Sequence, residues 1–223
     1  MTDLARIIDH TLLRPDAVRD DIERLCDQAA EYGFAAVCVN PCWVAPCTRR
    51  LGDGPVKVCV VVGFPLGAHL SEIKALEARR AVEQGAREVD VVAHLGALKM
   101  GNDRVVEDDL RAVVGAAGSR AMIKVILETG LLERDEIVMG ARLAEKAGAA
   151  FVKTSTGFAA GATPEAVALL RATVGMRLGV KASGGIRTRG QALAMIRAGA
   201  SRIGTSAGVQ IMSEAVRATE ADA

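Results

Sequence analysis

The segment "EKAGAAFVKTSTG", residues 145–157, contains both the end of a helix-like stretch and the start of a short apolar run. Gly148-Ala149 separates the two, as a glycine placed just beyond a helix C-terminus does. The same step recurs at Gly85-Ala86 and at Gly199-Ala200. This repetition predicts a chain in which helices and strands alternate.

The predicted strands are short runs rich in apolar and β-branched residues. A short run at 7–13 precedes the first helix-like stretch, and seven longer runs follow it at 34–40, 56–65, 87–93, 122–130, 151–157, 179–185 and 201–208. These runs are apolar without clean alternation, which is typical of parallel strands that are covered on both faces.

Eight βα units predict an α/β protein, a (β/α)8 TIM barrel that forms a single domain over residues 1–223. The alternative is a doubly wound open sheet. That fold is less favoured because no G-x-G-x-x-G motif follows the first strand.

Composition narrows the class of protein. Half of the residues are hydrophobic and the net charge is +1, so we expect neither a nucleic-acid nor a membrane partner. Residues 1–15 lack the apolar core of a signal peptide, which predicts a cytoplasmic protein. We expect neither a metal nor a cofactor, and free thiols rather than a zinc site or disulfides at the five cysteines, Cys26, Cys38, Cys42, Cys47 and Cys59.

Three of the seven lysines, Lys124, Lys153 and Lys181, lie within predicted strands. Side chains alternate along a strand, so Lys153 shares a face with Ser155. If that face lines the barrel, the lysines lie near the carboxyl ends of the strands, where barrel active sites lie. Lys57 opens its strand and is expected at the opposite end.

A lysine within a strand is either half of a structural ion pair or a reactive amine. Three lysines on successive strands favour the second alternative, a reactive amine. A like charge at about 4 Å contributes about 4 kcal/mol at an effective dielectric of about 20. Lowering the pKa of an amine from about 10.4 to about 7 takes roughly 4.6 kcal/mol. Paired ammonium groups therefore predict a nucleophilic lysine that forms a Schiff base.

Two aspartates are candidate site residues. Asp90 lies within a strand, where it either neutralises Lys124 or Lys181 or moves protons, alone or through a water; the two roles are compatible. Asp9, on the short first strand, either binds a substrate hydroxyl or caps the next turn.

Glycine-rich loops follow the last two predicted strands, at "ASGGIRT" (182–188) and "IGTSAG" (203–208). Barrels commonly bind phosphate at this position through backbone N–H groups. "STG" (155–157) is a candidate third segment of this phosphate site. Arg187 is either a phosphate ligand or an exposed arginine at a helix start.

Five motifs, in chain order "VCVNPCWV", "EVDVVAHLGALKMG", "KVILETG", "FVKTSTGF" and "VKASGGIRT", resemble the deoxyribose-phosphate aldolase family, and the likeness extends from residue 8 to about residue 212. The resemblance implies a class I aldolase that interconverts 2-deoxy-D-ribose 5-phosphate with acetaldehyde and D-glyceraldehyde 3-phosphate. It also implies residue roles. Lys153 forms the Schiff base, Lys181 lowers the pKa of that amine, Asp90 moves protons, and Lys124 holds the charge network. Asp9, Thr156 and Cys38 lie near the substrate, and phosphate is bound by Gly157, Gly184, Gly185, Gly204 and Ser206.

The implied partners are a small phosphorylated sugar and an aldehyde, and barrels of this kind often form a dimer or tetramer. Ala207 and Phe158 stand where relatives carry a serine and a lysine, which predicts weaker phosphate binding. His94 either touches substrate or fills a strand end. The alternative functions are another Schiff-base aldolase, of the transaldolase or keto-acid type, or a phosphate-binding barrel without catalysis.

Overall fold

Eight parallel strands close into a barrel in the computed structural model, which describes residues 4–221. Each strand pairs with its neighbours in chain order, and the eighth pairs with the first. The strands are β1 Ile8–Leu12, β2 Ala36–Val39, β3 Lys57–Val62, β4 Glu88–Val92, β5 Met122–Ile126, β6 Phe151–Lys153, β7 Gly179–Ser183 and β8 Arg202–Thr205. The predicted (β/α)8 barrel is therefore confirmed, and the open sheet is wrong. The predicted domain span of 1–223 stays a prediction, since it includes residues outside the described part.

Helices cover the outside of the barrel. They are α1 Arg19–Tyr32, α2 Val44–Leu51, α3 Ser71–Glu83, α4 Leu95–Lys99, α5 Asp103–Ala117, α6 Arg134–Ala147, α7 Pro164–Val174, α8 Arg189–Arg197 and α9 Gly208–Ala221. Short 3-10 turns occur at Leu4–Ile7, Pro41–Trp43, Gly118–Arg120 and Thr129–Leu131. Within the described chain, no helix is both long and apolar enough to cross a membrane.

The C-terminus of α6, at Gly148, has the geometry predicted from the sequence. Gly148 follows α6 with φ of 92°, and its N–H donates to the carbonyl of Ala144. Glycine adopts this left-handed conformation without a Cβ penalty, so the chain can reverse directly into β6.

All eight strands are shorter than the predicted runs, and β5 and β6 lose the most at their carboxyl ends, four residues each. β6 ends at Lys153, after which the Thr154 hydroxyl donates to the carbonyl of Ser183. β5 ends at Ile126, two residues before Glu128 takes a φ of 50°. Both strand ends lie at the carboxyl-terminal face of the barrel, where the chain turns out toward the helices.

A buried ion pair joins α3 to α5 on the outside of the barrel. Lys74 donates to Asp109 at 2.8 Å and to the carbonyl of Val92 at 3.0 Å, and Ser71 donates to the other oxygen of Asp109 at 2.8 Å. Both charged side chains are fully buried. Removing one charge of such a pair leaves the other unpaired in the interior.

We expect Asp109→Ala to lower the free energy of unfolding by about 3–5 kcal/mol, because Lys74 loses its counter-charge. Urea denaturation measures this loss. Asp108→Ala is the matched control, since Asp108 lies on the same helix and pairs with Arg104 at the surface; it should cost at most about 0.5 kcal/mol. Equal midpoints for the two variants would contradict the assignment.

Candidate active site

A cavity of about 370 Å³ opens at the carboxyl-terminal face of the barrel. The segments after β1, β6, β7 and β8 form its walls, and Lys153 lies in it together with Thr156 and Ser183. The residues predicted to bind phosphate all line the same cavity: Gly157, Gly184, Gly185, Gly204 and Ser206. The structure thus brings the reactive-lysine candidate and the glycine loops together.

Lys153 and Lys181 are neighbours because the register of β6 and β7 pairs them directly. Both ammonium groups reach the same oxygen of Asp90, with Nζ–Oδ2 distances of 2.8 Å for Lys153 and 2.7 Å for Lys181. Lys124 donates to the other oxygen, Oδ1, at 2.9 Å. Three lysines from three strands therefore meet at one buried carboxylate from β4.

Two further carboxylates complete this charge network. Asp9 lies in direct contact with the Lys181 ammonium and accepts from Arg202 at 2.7 Å. Glu88 lies 2.6 Å from the Lys124 ammonium and 3.3 Å from Arg202. The Cys59 thiol donates to Asp90 at 3.1 Å, and burial holds its pKa well above the usual range, so it stays protonated.

The ionised forms within the network stabilise one another. Burial alone would raise the pKa of Asp9, but Lys181, Lys124 and Arg202 outweigh it and hold that pKa at about 2. The pKa of Asp90 is likewise held well below its usual range, because its three lysines outweigh its burial.

The pKa values of the cations deeper in the barrel are raised, whereas those of the two aspartates are lowered. Burial alone would lower the pKa of Lys124, Lys181 and Arg202. The neighbouring carboxylates, Asp9 among them in each case, outweigh burial and raise all three. These three side chains therefore keep their protons at neutral pH.

Lys153 differs from the other cations of the network in its position. Among the described residues, the network joins four cationic side chains to three carboxylates, namely Asp9, Glu88 and Asp90. Of the four cations, Lys153 is the one that lines the cavity, and Asp90 is its carboxylate contact. Its nitrogen is therefore the one within reach of a ligand in the cavity, where a lysine amine can attack a carbonyl.

Five predicted site residues lie beneath the cavity rather than in its wall. Lys181, Lys124, Asp9 and Asp90 are fully buried in the charge network. Asp9 accepts from Lys181 and Arg202, and its contact with a substrate hydroxyl stays a prediction. Cys38 is buried on β2 beside Cys59, below the cavity.

The sequence analysis missed two members of the network, Glu88 and Arg202. Glu88 lies two residues before Asp90 on β4, and Arg202 two residues before Gly204 on β8. Side chains two residues apart point to the same face of a strand. A charged residue two positions from a predicted site residue on the same strand could therefore have been predicted as part of the site.

The cavity mouth carries two arginines. Arg187 and Arg14 both line the cavity, and sequence reasoning had left Arg187 open and had missed Arg14. Arg14 also pairs with Asp16 at 2.9 Å. Positive charge therefore lies beside the glycine loops, although Phe158 stands where a lysine would add more. His94 precedes α4 and caps its N-terminus, where its Nδ1 accepts from the Ala97 amide at 3.2 Å.

The chain matches the model of a family described as "DeoC/LacD family aldolase" over residues 4–214. It is 58% identical over 210 residues to a deoxyribose-phosphate aldolase of Geobacillus sp. (strain WCH70), which covers 94% of each chain. It is 54% identical over 211 residues to the corresponding enzyme of Listeria innocua, which covers 94% of this chain and 95% of that one.

Solved structures show the same fold. The deoxyribose phosphate aldolase of Aeropyrum pernix, described as a unique tetrameric structure, has a TM-score of 0.86 and 38% identity, with 94% of this chain and 89% of that chain covered. A putative deoxyribose-phosphate aldolase of Coccidioides immitis has a TM-score of 0.93 and 45% identity, covering 96% and 85%.

The Asp9 carboxylate should stabilise the fold in a pH-dependent way. Its folded pKa of about 2 lies below the ordinary aspartate pKa of 3.8, so its contribution is fully present above about pH 4 and is lost as the pH falls toward 2. Asp9→Asn should therefore be less stable than wild type at pH 6, and the difference should shrink between pH 4 and pH 2.

Urea unfolding at a series of pH values measures this difference. Asp16→Asn is the control, because Asp16 is exposed and pairs with Arg14 at the surface; its difference from wild type should stay near zero throughout. An Asp9→Asn difference that is constant down to pH 2 would contradict the account.

Proposed function

Since the chain belongs to the DeoC/LacD family of aldolases, we propose that it reversibly cleaves 2-deoxy-D-ribose 5-phosphate to acetaldehyde and D-glyceraldehyde 3-phosphate through a Schiff base on Lys153. The observation that carries the proposal is that Lys153 is the lysine of the buried network that lines the cavity, 2.8 Å from the Asp90 carboxylate. Relatives at 54–58% identity bear the name of this activity.

The reaction begins when neutral Lys153 attacks C1 of the open-chain sugar. The C1–oxygen double bond becomes a carbinolamine, and loss of water gives a protonated iminium. Asp90 Oδ2 lies 2.8 Å from the Lys153 nitrogen, close enough to exchange protons directly or through one water. Lys181 and Lys124 keep that carboxylate oriented throughout.

Carbon–carbon cleavage uses the iminium as an electron sink. The C3 hydroxyl loses its proton to Asp90 through a water, and the C2–C3 bond breaks. Its electron pair moves to C2 and is delocalised into the iminium as an enamine. D-glyceraldehyde 3-phosphate leaves. Protonation of the enamine at C2 and hydrolysis of the resulting iminium then release acetaldehyde and restore the lysine amine.

The phosphorylated end of the substrate fits the glycine-lined side of the cavity. Gly184 and Gly185 have φ values of 95° and 76°, a conformation in which consecutive N–H groups can converge on an anion. Arg187 and Arg14 add positive charge at the same mouth. We assign phosphate binding to Gly157, Gly184, Gly185, Gly204 and Ser206, and contact with the sugar to Thr156.

Two alternatives remain distinguishable by experiment. A transaldolase or a keto-acid aldolase would also use a lysine Schiff base, but its donor would be a ketose or pyruvate rather than acetaldehyde. A barrel that only binds phosphate would need no buried cluster of lysines around Asp90, and the cost of burying one argues against that function.

We expect Lys153→Met to lower kcat for deoxyribose 5-phosphate cleavage by at least ~10³-fold, because the nucleophile is lost. A coupled assay for D-glyceraldehyde 3-phosphate measures this. Lys57→Met is the matched control, since Lys57 lies exposed at the opposite end of the barrel, and it should retain wild-type activity. Wild-type protein that consumes pyruvate or a ketose but not acetaldehyde would contradict the substrate assignment.

We also propose that the protein is a cytoplasmic homo-oligomer, a dimer or tetramer. The described cysteines are all free thiols, as a reducing compartment favours.

Large apolar side chains are exposed around the start of α3: Leu66, Leu70, Ile73 and Leu76. Such a patch is typical of a contact between subunits, and a second copy of this chain is the occupant we propose.

Replacing Leu70 and Ile73 together with aspartate should convert the oligomer to a monomer, because two buried charges would face the partner's apolar side chains. Sedimentation velocity measures the change. Met176→Asp is the control, since Met176 is 89% exposed at a distant turn, and it should leave the mass unchanged. A wild-type protein that sediments as a monomer would contradict the proposal.

A further inference from the structure

Glu128 has a backbone conformation that its side chain does not favour. Its φ is 50° and its ψ is 60°, and among the described residues it is the non-glycine residue with positive φ. It is also 2% exposed. A carboxylate-bearing residue held in this conformation and buried costs free energy, and such costs concentrate where function requires the geometry.

The hydrogen-bond ladder between the β5 and β6 segments slips by one residue at Glu128. The Leu127 amide donates to the carbonyl of Lys153 at 3.0 Å, whereas the Thr129 amide donates to that of Thr154 at 2.9 Å. Two residues on one side therefore oppose one on the other, as in a β-bulge. Bulges commonly re-aim a side chain beside an active site.

The redirected carboxylate holds the segment that follows Lys153. Its Oε2 accepts from the Thr156 amide at 3.1 Å and from the Thr156 hydroxyl. The same hydroxyl oxygen then accepts from the Phe158 amide at 3.1 Å. One carboxylate oxygen thus fixes a turn whose residues Thr156, Gly157 and Phe158 all line the cavity.

The second oxygen of Glu128 is buried without a hydrogen-bond partner, as are the hydroxyls of Ser155 and Ser183. These three residues lie at or just beyond the carboxyl ends of β5, β6 and β7, beside Lys153. Buried polar atoms normally have partners. Of these three residues Ser183 lines the cavity, where its hydroxyl is suited to a polar ligand.

From these contacts we infer that Glu128 is a positioning residue, which holds the Thr156–Phe158 turn in the shape that receives the phosphorylated end of the substrate. The inference rests on the proposed function and adds a residue that the sequence analysis did not single out. Two donors from Thr156 engage the carboxylate oxygen that faces the turn, so Glu128 orders the wall of the cavity while Gly157 presents its backbone to the phosphate.

Three substitutions separate this role from a structural one. Glu128→Gln keeps both the length of the side chain and an oxygen acceptor for Thr156. Glu128→Asn tolerates positive φ but is one methylene shorter, so it does not reach Thr156. Glu128→Gly removes the side chain and relieves the backbone cost, which protects the variant from a simple failure to fold.

The experiment compares kcat and KM for deoxyribose 5-phosphate with those for unphosphorylated deoxyribose, and the rate of borohydride trapping with acetaldehyde. We expect Glu128→Asn and Glu128→Gly to raise KM for the phosphorylated sugar by ~10-fold or more. Their KM for deoxyribose should rise clearly less than their KM for the phosphorylated sugar, because deoxyribose uses the Thr156 contact but not the phosphate wall. Their acetaldehyde trapping should stay within about 2-fold of wild type, because it uses neither. Glu128→Gln should lie within about 3-fold of wild type for every substrate.

The contrary results are distinct. An unchanged KM in Glu128→Asn and Glu128→Gly, or an equal loss for both sugars, overturns the positioning role while wild-type trapping upholds the Schiff-base chemistry. A loss in Glu128→Gln as large as that in Glu128→Asn also overturns it, since reach would then be irrelevant. Wild-type protein that traps no acetaldehyde overturns the proposed function, and this inference with it.

Discussion

The carboxylate of Asp90 organises the interior of this barrel, because three lysines from three neighbouring strands donate to it. Its position follows from strand register. β4 and β5 pair Asp90 with Lys124, while β6 and β7 pair Lys153 with Lys181. Side chains that alternate inward at these positions converge on the barrel axis. A slip of one residue in any of these pairings would point a charge into the outer apolar layer.

A buried network of ion pairs contributes little net free energy to the stability of a protein. Burying several charges costs desolvation free energy that ion pairs offset only with good geometry, and apolar replacements are often neutral or stabilising. The barrel nevertheless buries Asp9, Asp90, Lys124 and Lys181 completely. Chemistry explains the cost: the carboxylates hold the deeper cations in their charged forms, and the network holds Lys153 beside Asp90 at the cavity. Glu128 is a second buried carboxylate whose cost is explained by function, because it holds the Thr156–Phe158 turn that lines the cavity.

Periodicity alone predicted much of this arrangement. The Gly-Ala step after three of the helices and the spacing of the apolar runs predicted the barrel, and inward alternation placed Lys153 and Lys181 together. Sequence could not predict that Asp9 would accept from Arg202, a contact across 193 residues that depends on closure between β1 and β8. Nor could it predict the slip at Glu128, since a bulge depends on the partner strand.

The central claim is that Lys153 is the nucleophile and Lys181 its charged neighbour. Borohydride reduction in the presence of deoxyribose 5-phosphate, followed by peptide mass mapping, tests it most directly. The account predicts a reduced adduct on Lys153, and none on Lys181 or Lys124, because those two lysines lie beneath the cavity with their protons held by Asp9 and Asp90. An adduct on Lys181, or folded protein with no adduct, would contradict it.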